Sequence, residues 1–175
     1  MAALKTFSRN IFNMEMNIRR VEVEDYQDLQ DVYAQPKVYA DTLQLPFPSE
    51  LLWKNRLLEP PDNLHVLVCE IEHRVVAHLG LQIDKNARRR HVGHIGMAVH
   101  DDWHRKGIGS ALLAAGLALA DNWLNLSRIE LSVYVSNAAA VSLYEKFGFV
   151  KEGTLKRYAF RSGAFEDVFA MARLK

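Results

Sequence analysis

The chain has 175 residues, 49% of them hydrophobic and 25% charged, the balance of a globular domain long enough to bury one core. A formal net charge of +1 implies no global partner that is a polyanion or a polycation. The one cysteine, Cys69, excludes an internal disulfide framework and suits a reducing, cytoplasmic setting, and no apolar run approaches membrane-spanning length.

Residues 1–16 are basic but lack an unbroken apolar stretch, so they do not read as a secretory signal. They are expected to be a disordered or marginal leader, with Met14 and Met16 as alternative starts and one domain over 17–175. Residues 18–23 read as a first strand. A helix over 24–34 follows, with Tyr26, Leu29, Val32 and Tyr33 at helical spacing. Pro36, Pro46 and Pro48 punctuate a loop, after which Ser49 caps a second helix running through Leu58. Two strands are expected over 64–72 and 74–84. In the second, Val75, Ala77, Leu79, Leu81 and Ile83 alternate with more polar neighbours, the period of a half-covered sheet.

A charged loop over 85–90 leads to a strand over 91–99. The main helix, 111–124, carries a continuous apolar stripe through Leu112, Leu113, Leu117, Ala120 and Leu124. Ile129, Leu131, Val133 and Val135 mark a strand that a strand–helix–strand unit makes parallel to 91–99. Asn137 is placed to cap the next helix, and Gly148 to end it in a left-handed conformation. Strands over 154–161 and 165–173 close the chain as a hairpin through Ser162-Gly163. The order implies a mixed α/β sandwich, helices on both faces, with a ligand crevice at the carboxyl ends of the parallel pair.

The stretch Met97–Ser110 is the most informative. An apolar strand runs into a polar turn, then a Gly-x-Gly step at Gly107 and Gly109, then the long apolar helix. That order leaves unpaired N–H groups at a positive helix end, where a diphosphate can rest. Arg105 and Lys106 add charge beside it. A second signal lies downstream at Asn137, Tyr144 and Gly148-Phe149.

Together the two segments resemble the Gcn5-related N-acetyltransferase (GNAT) superfamily, and with the flanking strands the resemblance covers about residues 17–175. The family's glycine motif falls on His104, Gly107 and Gly109, with His104 departing from the usual Arg or Gln. The resemblance implies a mostly antiparallel twisted sheet whose central parallel pair splays around the cofactor. It implies acetyl-coenzyme A as co-substrate, no metal, and direct attack of an amine on the thioester. The diphosphate would rest on the main chain of His104, Arg105, Lys106, Gly107, Ile108, Gly109 and Ser110. The pantetheine arm would pair with the main chain of Met97 and Val99, with Asn137 as a further partner.

Tyr144 is then the candidate general acid, since a phenol is protonated at neutral pH and can serve the departing thiolate. For the base the resemblance points to the strand position held by His94, and imidazole accepts protons near neutrality. His78, His91 and Glu130 lie on neighbouring strands; Glu130 is the second candidate, and a solvent chain with no dedicated base stays open. The acceptor pocket is expected from Tyr39, Thr42, Leu45 and Phe47 in the front loop and from Tyr158 and Arg161 in the closing hairpin. This mixture is aromatic and apolar with few acids. Tracts around Gln35–Tyr39, Asp121–Leu124 and Arg157–Ala159 are similar to a bacterial L-amino acid N-acetyltransferase subgroup. That implies the α-amine of apolar amino acids as acceptor, with Arg161 or a backbone nest on the carboxylate.

Two other readings remain: acetylation of a peptide N-terminus or lysine, which an open groove between the 36–48 loop and the hairpin would favour, and a non-catalytic coenzyme A sensor. A nucleic-acid role is not expected, because Arg88-Arg89-Arg90 lacks an aromatic platform. His91 and His94 would face opposite sides of a strand, so no metal set forms. Trp53, Trp123 and the edge of the last hairpin could support a homodimer.

Overall fold

A computed structural model describes residues 7–11 and 14–175 of the protein. Its strands are β1 (Phe7–Ile11), β2 (Met14–Arg20), β3 (Leu64–Ile71), β4 (Arg74–Ile83), β5 (Val92–Val99), β6 (Arg128–Tyr134), β7 (Val150–Arg161) and β8 (Ala164–Leu174). They form one sheet in the order β1-β2-β3-β4-β5-β6-β8-β7. Neighbours are antiparallel except β5 and β6, which run parallel.

That parallel pairing is short. Val92, Gly93 and His94 pair with Arg128, Ile129 and Glu130, and no register continues beyond them. From Ile95 and Leu131 onward the two strands diverge, and each keeps only its outer neighbour, β4 or β8. Gly93 sits at the closed end because a side chain does not fit there: a Cβ would lie 2.8 Å from Leu126 and 2.9 Å from Leu81.

Helices cover both faces, as their apolar stripes require. On one side α1 (Tyr26–Ala34) and α3 (Glu50–Leu58) bury Leu29, Val32, Tyr33 and Trp53 against Val68, Val75 and Ala98. On the other, α4 (Ile108–Asn122) buries Leu112, Leu113, Leu117 and Ala120 against Leu79, Leu81, Ile95, Ile129 and Leu131. The short helix α5 (Ala138–Lys146) adds Val141 and Tyr144 to that second cluster. Capping follows the sequence. Ser49 Oγ accepts from the Leu52 N–H at 3.3 Å, Asn137 Oδ1 accepts from the Ala140 N–H at 3.0 Å, and Gly148 is left-handed at φ +86°.

Three expectations need correction. Residues 7–11 and 14–16 are not an unstructured leader but belong to the β1–β2 hairpin, with Phe7 opposite Ile18. The reason lies in Met16 and Ile18, which the main cluster buries at 2% and 7% exposure; positions 1–6, 12 and 13 lie outside the described residues. The stretch after Pro36 is not all loop. Pro36 occupies the first turn of a helix, α2 (Pro36–Asp41), where its missing N–H costs nothing. Trp53 is buried and stacked on Tyr33, so it offers no surface to a partner. Among the described residues no helix is long and apolar enough to cross a membrane.

Candidate functional site

The bend between β5 and α4 is built to leave donors free. After Val99 a tight turn, Asp101–Trp103, carries the chain to Arg105 and Gly107, both left-handed at φ +60° and +78°. Such residues curl the main chain into a concavity lined by N–H groups. The first bond within α4 runs from the Ala111 N–H to the Gly107 carbonyl at 3.0 Å. The N–H groups of Ile108, Gly109 and Ser110 therefore have no partner within the helix. They sit at the positive end of a 15-residue helix. Glycine is required at 107 by its φ, whereas Arg105 holds the same conformation at a cost that the surroundings must offset.

Those surroundings are dense. The His104 ring bonds the Val99 carbonyl through Nε2 at 2.8 Å, tying the bend to the end of β5. The His100 N–H bonds the Val76 carbonyl at 2.9 Å, and His100 Nδ1 accepts from the Asp102 N–H at 3.2 Å. From the opposite wall, the Lys37 N–H of α2 reaches Asp101 Oδ2 at 3.2 Å. His104 thus braces the turn through its side chain, a role its sequence position did not disclose.

Between the diverging strands lies a crevice of about 1220 Å³, running from the bend to the closed end at His94 and Glu130. It exceeds the range of roughly 300–1,000 Å³ typical of a site for one small molecule. Met97, Val99, His104, Arg105, Gly107, Ile108, Gly109, Ser110 and Asn137 all line it; Lys106 does not, and its ammonium lies 4.2 Å over the Trp103 ring. Tyr144 also lines it. Its ring meets Phe149 edge-on at 5.7 Å, and burial pushes its phenol up to about 12. No described residue hydrogen-bonds that hydroxyl.

At the closed end, His94 Nδ1 is 3.4 Å from Glu130 Oε2, and Nε2 is 3.8 Å from Asp84 Oδ2; the imidazole remains 45% exposed. Glu130 is clasped by two guanidiniums, Arg128 Nε at 2.5 Å and Arg89 NH2 at 3.1 Å. Partial burial alone would raise its carboxyl, but the bonds from Arg128 and Arg89 hold it below the usual range. A carboxylate so held is a weak proton acceptor. His91 lies before β5 and does not line the crevice.

The acceptor side differs more from expectation. Thr42 and Tyr158 line the crevice, while Tyr39, Leu45, Phe47 and Arg161 do not. Leu45 and Phe47 are 82% and 95% exposed. Arg161 is committed elsewhere: it donates to the Ala40 carbonyl, Asp41 Oδ1 and Ser136 Oγ, each at 3.0 Å, and pairs with Glu166 at 3.1 Å. It therefore ties the hairpin to α2 and has no free fork for a carboxylate. Tyr158 reaches the crevice because β7 bulges. Leu155 pairs with Val168 and Ala159 with Glu166, so residues 156–158 stand opposite one residue of β8. That residue, Asp167, holds the bulge by accepting from the Arg157 N–H and from Lys156 Nζ, both at 2.8 Å.

Sequence reasoning missed the pair Tyr33 and His78 as one unit. The Tyr33 hydroxyl lies 3.0 Å from His78 Nδ1, and both residues line the crevice. Burial, aided by the Arg56 charge, pushes the His78 imidazole down to about 4, and burial raises the Tyr33 phenol. Both groups are thus neutral at physiological pH, and the imidazole tautomer decides which of them donates across the 3.0 Å contact. Among the described residues no group of three or more His, Cys, Asp or Glu is arranged to hold a metal ion.

Residues 23–149 match the model of the Acetyltransferase (GNAT) family. The chain is 42% identical over 161 residues to the L-amino acid N-acetyltransferase AaaT of Escherichia coli (strain K12), covering 92% of this chain and 99% of that protein. Its structure is similar to that of a GNAT-family acetyltransferase from Streptococcus pneumoniae, with a TM-score of 0.80, 28% identity, and cover of 92% of this chain and 100% of that one. It also shares the fold of the spermidine N-acetyltransferase of Vibrio cholerae, solved with CoA and spermine, at a TM-score of 0.79 and 24% identity over 91% of this chain and 95% of that one.

Proposed function

The chain belongs to the acetyltransferase (GNAT) family, and from that premise we propose that it moves the acetyl group of acetyl-coenzyme A onto the α-amine of apolar L-amino acids. One observation carries the substrate reading: the similarity to the E. coli L-amino acid N-acetyltransferase, at 42% identity, runs through 99% of that protein.

The residues fit the co-substrate, which supplies an activated acetyl thioester when bound. The free N–H groups at 108–110, with the main chain of His104, Arg105 and Gly107 and the charge of Arg105, would hold its diphosphate, while Lys106 stays on the Trp103 ring outside it. Met97 and the N–H of Val99, on the strand edge that β6 leaves unpaired, would pair with its pantetheine arm, the Val99 carbonyl being held by His104, and Asn137 would contact the same arm. Tyr144 keeps its proton at neutral pH and would deliver it from the hydroxyl to sulfur. His94 would take the amine's proton at a ring nitrogen, oriented by Glu130. Glu130, held ionised by Arg89 and Arg128, serves the imidazole better than it serves as base itself. Thr42 and Tyr158 would contact the acceptor, while Tyr39, Leu45 and Phe47 shape the loop outside it.

Arg161 argues for small acceptors over peptides. Its bridge from the hairpin to Ala40 and Asp41 spans the gap an extended chain would need to cross. The reading also has the chain acting in the cytoplasm, as a homodimer formed along the exposed edge strand β7, where Phe160 is 65% exposed. A panel of amines incubated with acetyl-coenzyme A, with release of free thiol followed, tests the substrate. Turnover with L-methionine or L-phenylalanine, and little with spermidine or N-terminal peptides, is expected. The reverse preference would overturn it.

A further inference from the structure

An amino acid carries a carboxylate beside its amine, so a site selective for it needs a donor set at one end. Arg161 is spent on Asp41 and Glu166, and Arg128 on Glu130 and Glu152. Lys37 stands at the far end, beside the bend. Arg56 on α3 is placed differently. Its guanidinium lies 4.9 Å from the Trp53 ring centroid, and NH1 donates to Gln44 Oε1 at 3.2 Å. Among the described residues no carboxylate pairs with it.

Arg56 and Trp53 do not themselves line the crevice, but the residues they contact do, which places the guanidinium at the rim of its acceptor end. Gln44 lines the crevice. Trp53 stacks on Tyr33 at 4.5 Å, and Tyr33 bonds His78, both of which line it too. The Arg56 charge is felt by both: after burial it is the second influence on the titration of each. A guanidinium stacked on an indole and pinned at one nitrogen keeps the rest of its fork free for a carboxylate.

We infer that Arg56, presented by Gln44 and Trp53 at the rim of the crevice, is the specificity residue that takes the carboxylate of the acceptor. The same positive charge repels polyamines, which supply cations where an amino acid supplies an anion. This assignment rests on the amino-acid reading above.

The test is steady-state kinetics of the full chain with L-methionine and with L-methioninamide, which lacks the anion. The wild type should prefer the free acid. Arg56→Ala should lower kcat/KM for L-methionine roughly ten- to hundredfold, through KM. It should leave the amide and the KM for acetyl-coenzyme A unchanged, so that the preference disappears, and Arg56→Lys should keep part of it. Arg56 is exposed on α3, so neither change threatens the fold. Equal losses on acid and amide, or none on either, would overturn the assignment and leave amino-acid acetylation standing. A wild type that does not acetylate L-methionine but takes a peptide or polyamine would overturn the substrate reading, and the assignment with it.

Discussion

Replacing Tyr144 by phenylalanine removes one oxygen from a ring that is only 8% exposed. The edge-on contact with Phe149 and the packing against the α4 side of the sheet remain. Because no described residue bonds the hydroxyl, its loss should change stability by less than about 1 kcal/mol. For a chain of this size that shifts the melting point by no more than about 2–4 °C. The chemistry should respond far more. With the phenol pushed up to about 12, Tyr144 is a proton donor throughout the neutral range. Loss of a positioned acid lowers turnover roughly 10²- to 10⁴-fold. The assay is thiol release with L-methionine, beside calorimetric titration with acetyl-coenzyme A. We expect kcat to collapse while binding is retained. A folded Tyr144→Phe variant with undiminished kcat would refute the assignment of the acid.

Other consequences can be checked singly. Gly107→Ala must place a side chain at φ +78° and should destabilise the protein by about 1–2 kcal/mol, read from its thermal melt. Gly109→Ala should melt no lower, since its methyl meets Leu143, Met97 and Val99 only at 3.5–3.8 Å, yet its affinity for acetyl-coenzyme A should drop in calorimetry. Asp167→Ala frees the β7 bulge; KM for the acceptor should rise while KM for acetyl-coenzyme A holds, as steady-state kinetics would reveal. Protonation of His78 is set by burial, which moves it from 6.5 to about 4. An unfolded chain takes that proton at higher pH, so stability is present above pH 6.5 and lost as pH falls toward 4. The loss should reach about 3 kcal/mol, and urea denaturation of His78→Gln beside the wild type should show the variant largely free of it.

The strand, bend and main helix were legible because each rests on local chemistry: β-alternation, glycines at a turn, an apolar stripe at helical spacing. Ser49, Asn137 and Gly148 were likewise readable, since a cap satisfies main-chain groups within three or four residues. What escaped depends on contacts distant in sequence. Arg161 and Arg56 look alike in the chain. Only the fold brings Asp41 and Glu166 to the first and leaves the second on Trp53. The Asp167 clasp on residues 156–157 needs the hairpin register to be known, and a two-residue surplus leaves no mark in alternation. Helix α2 is too short for a periodic signal, and Pro36 reads equally as a loop residue or as a first helical residue. Residues 7–16 lack an apolar run, yet Met16 finds a place in the core once β3 is beside it.

The account depends most on the bend before α4 and the gap between β5 and β6 accepting one molecule of acetyl-coenzyme A. Isothermal titration of that compound into the purified chain measures this directly. Saturable binding at one site per chain is predicted, weakened when Gly109 is replaced by alanine. A folded protein that gives no binding heat at any practical concentration would contradict it.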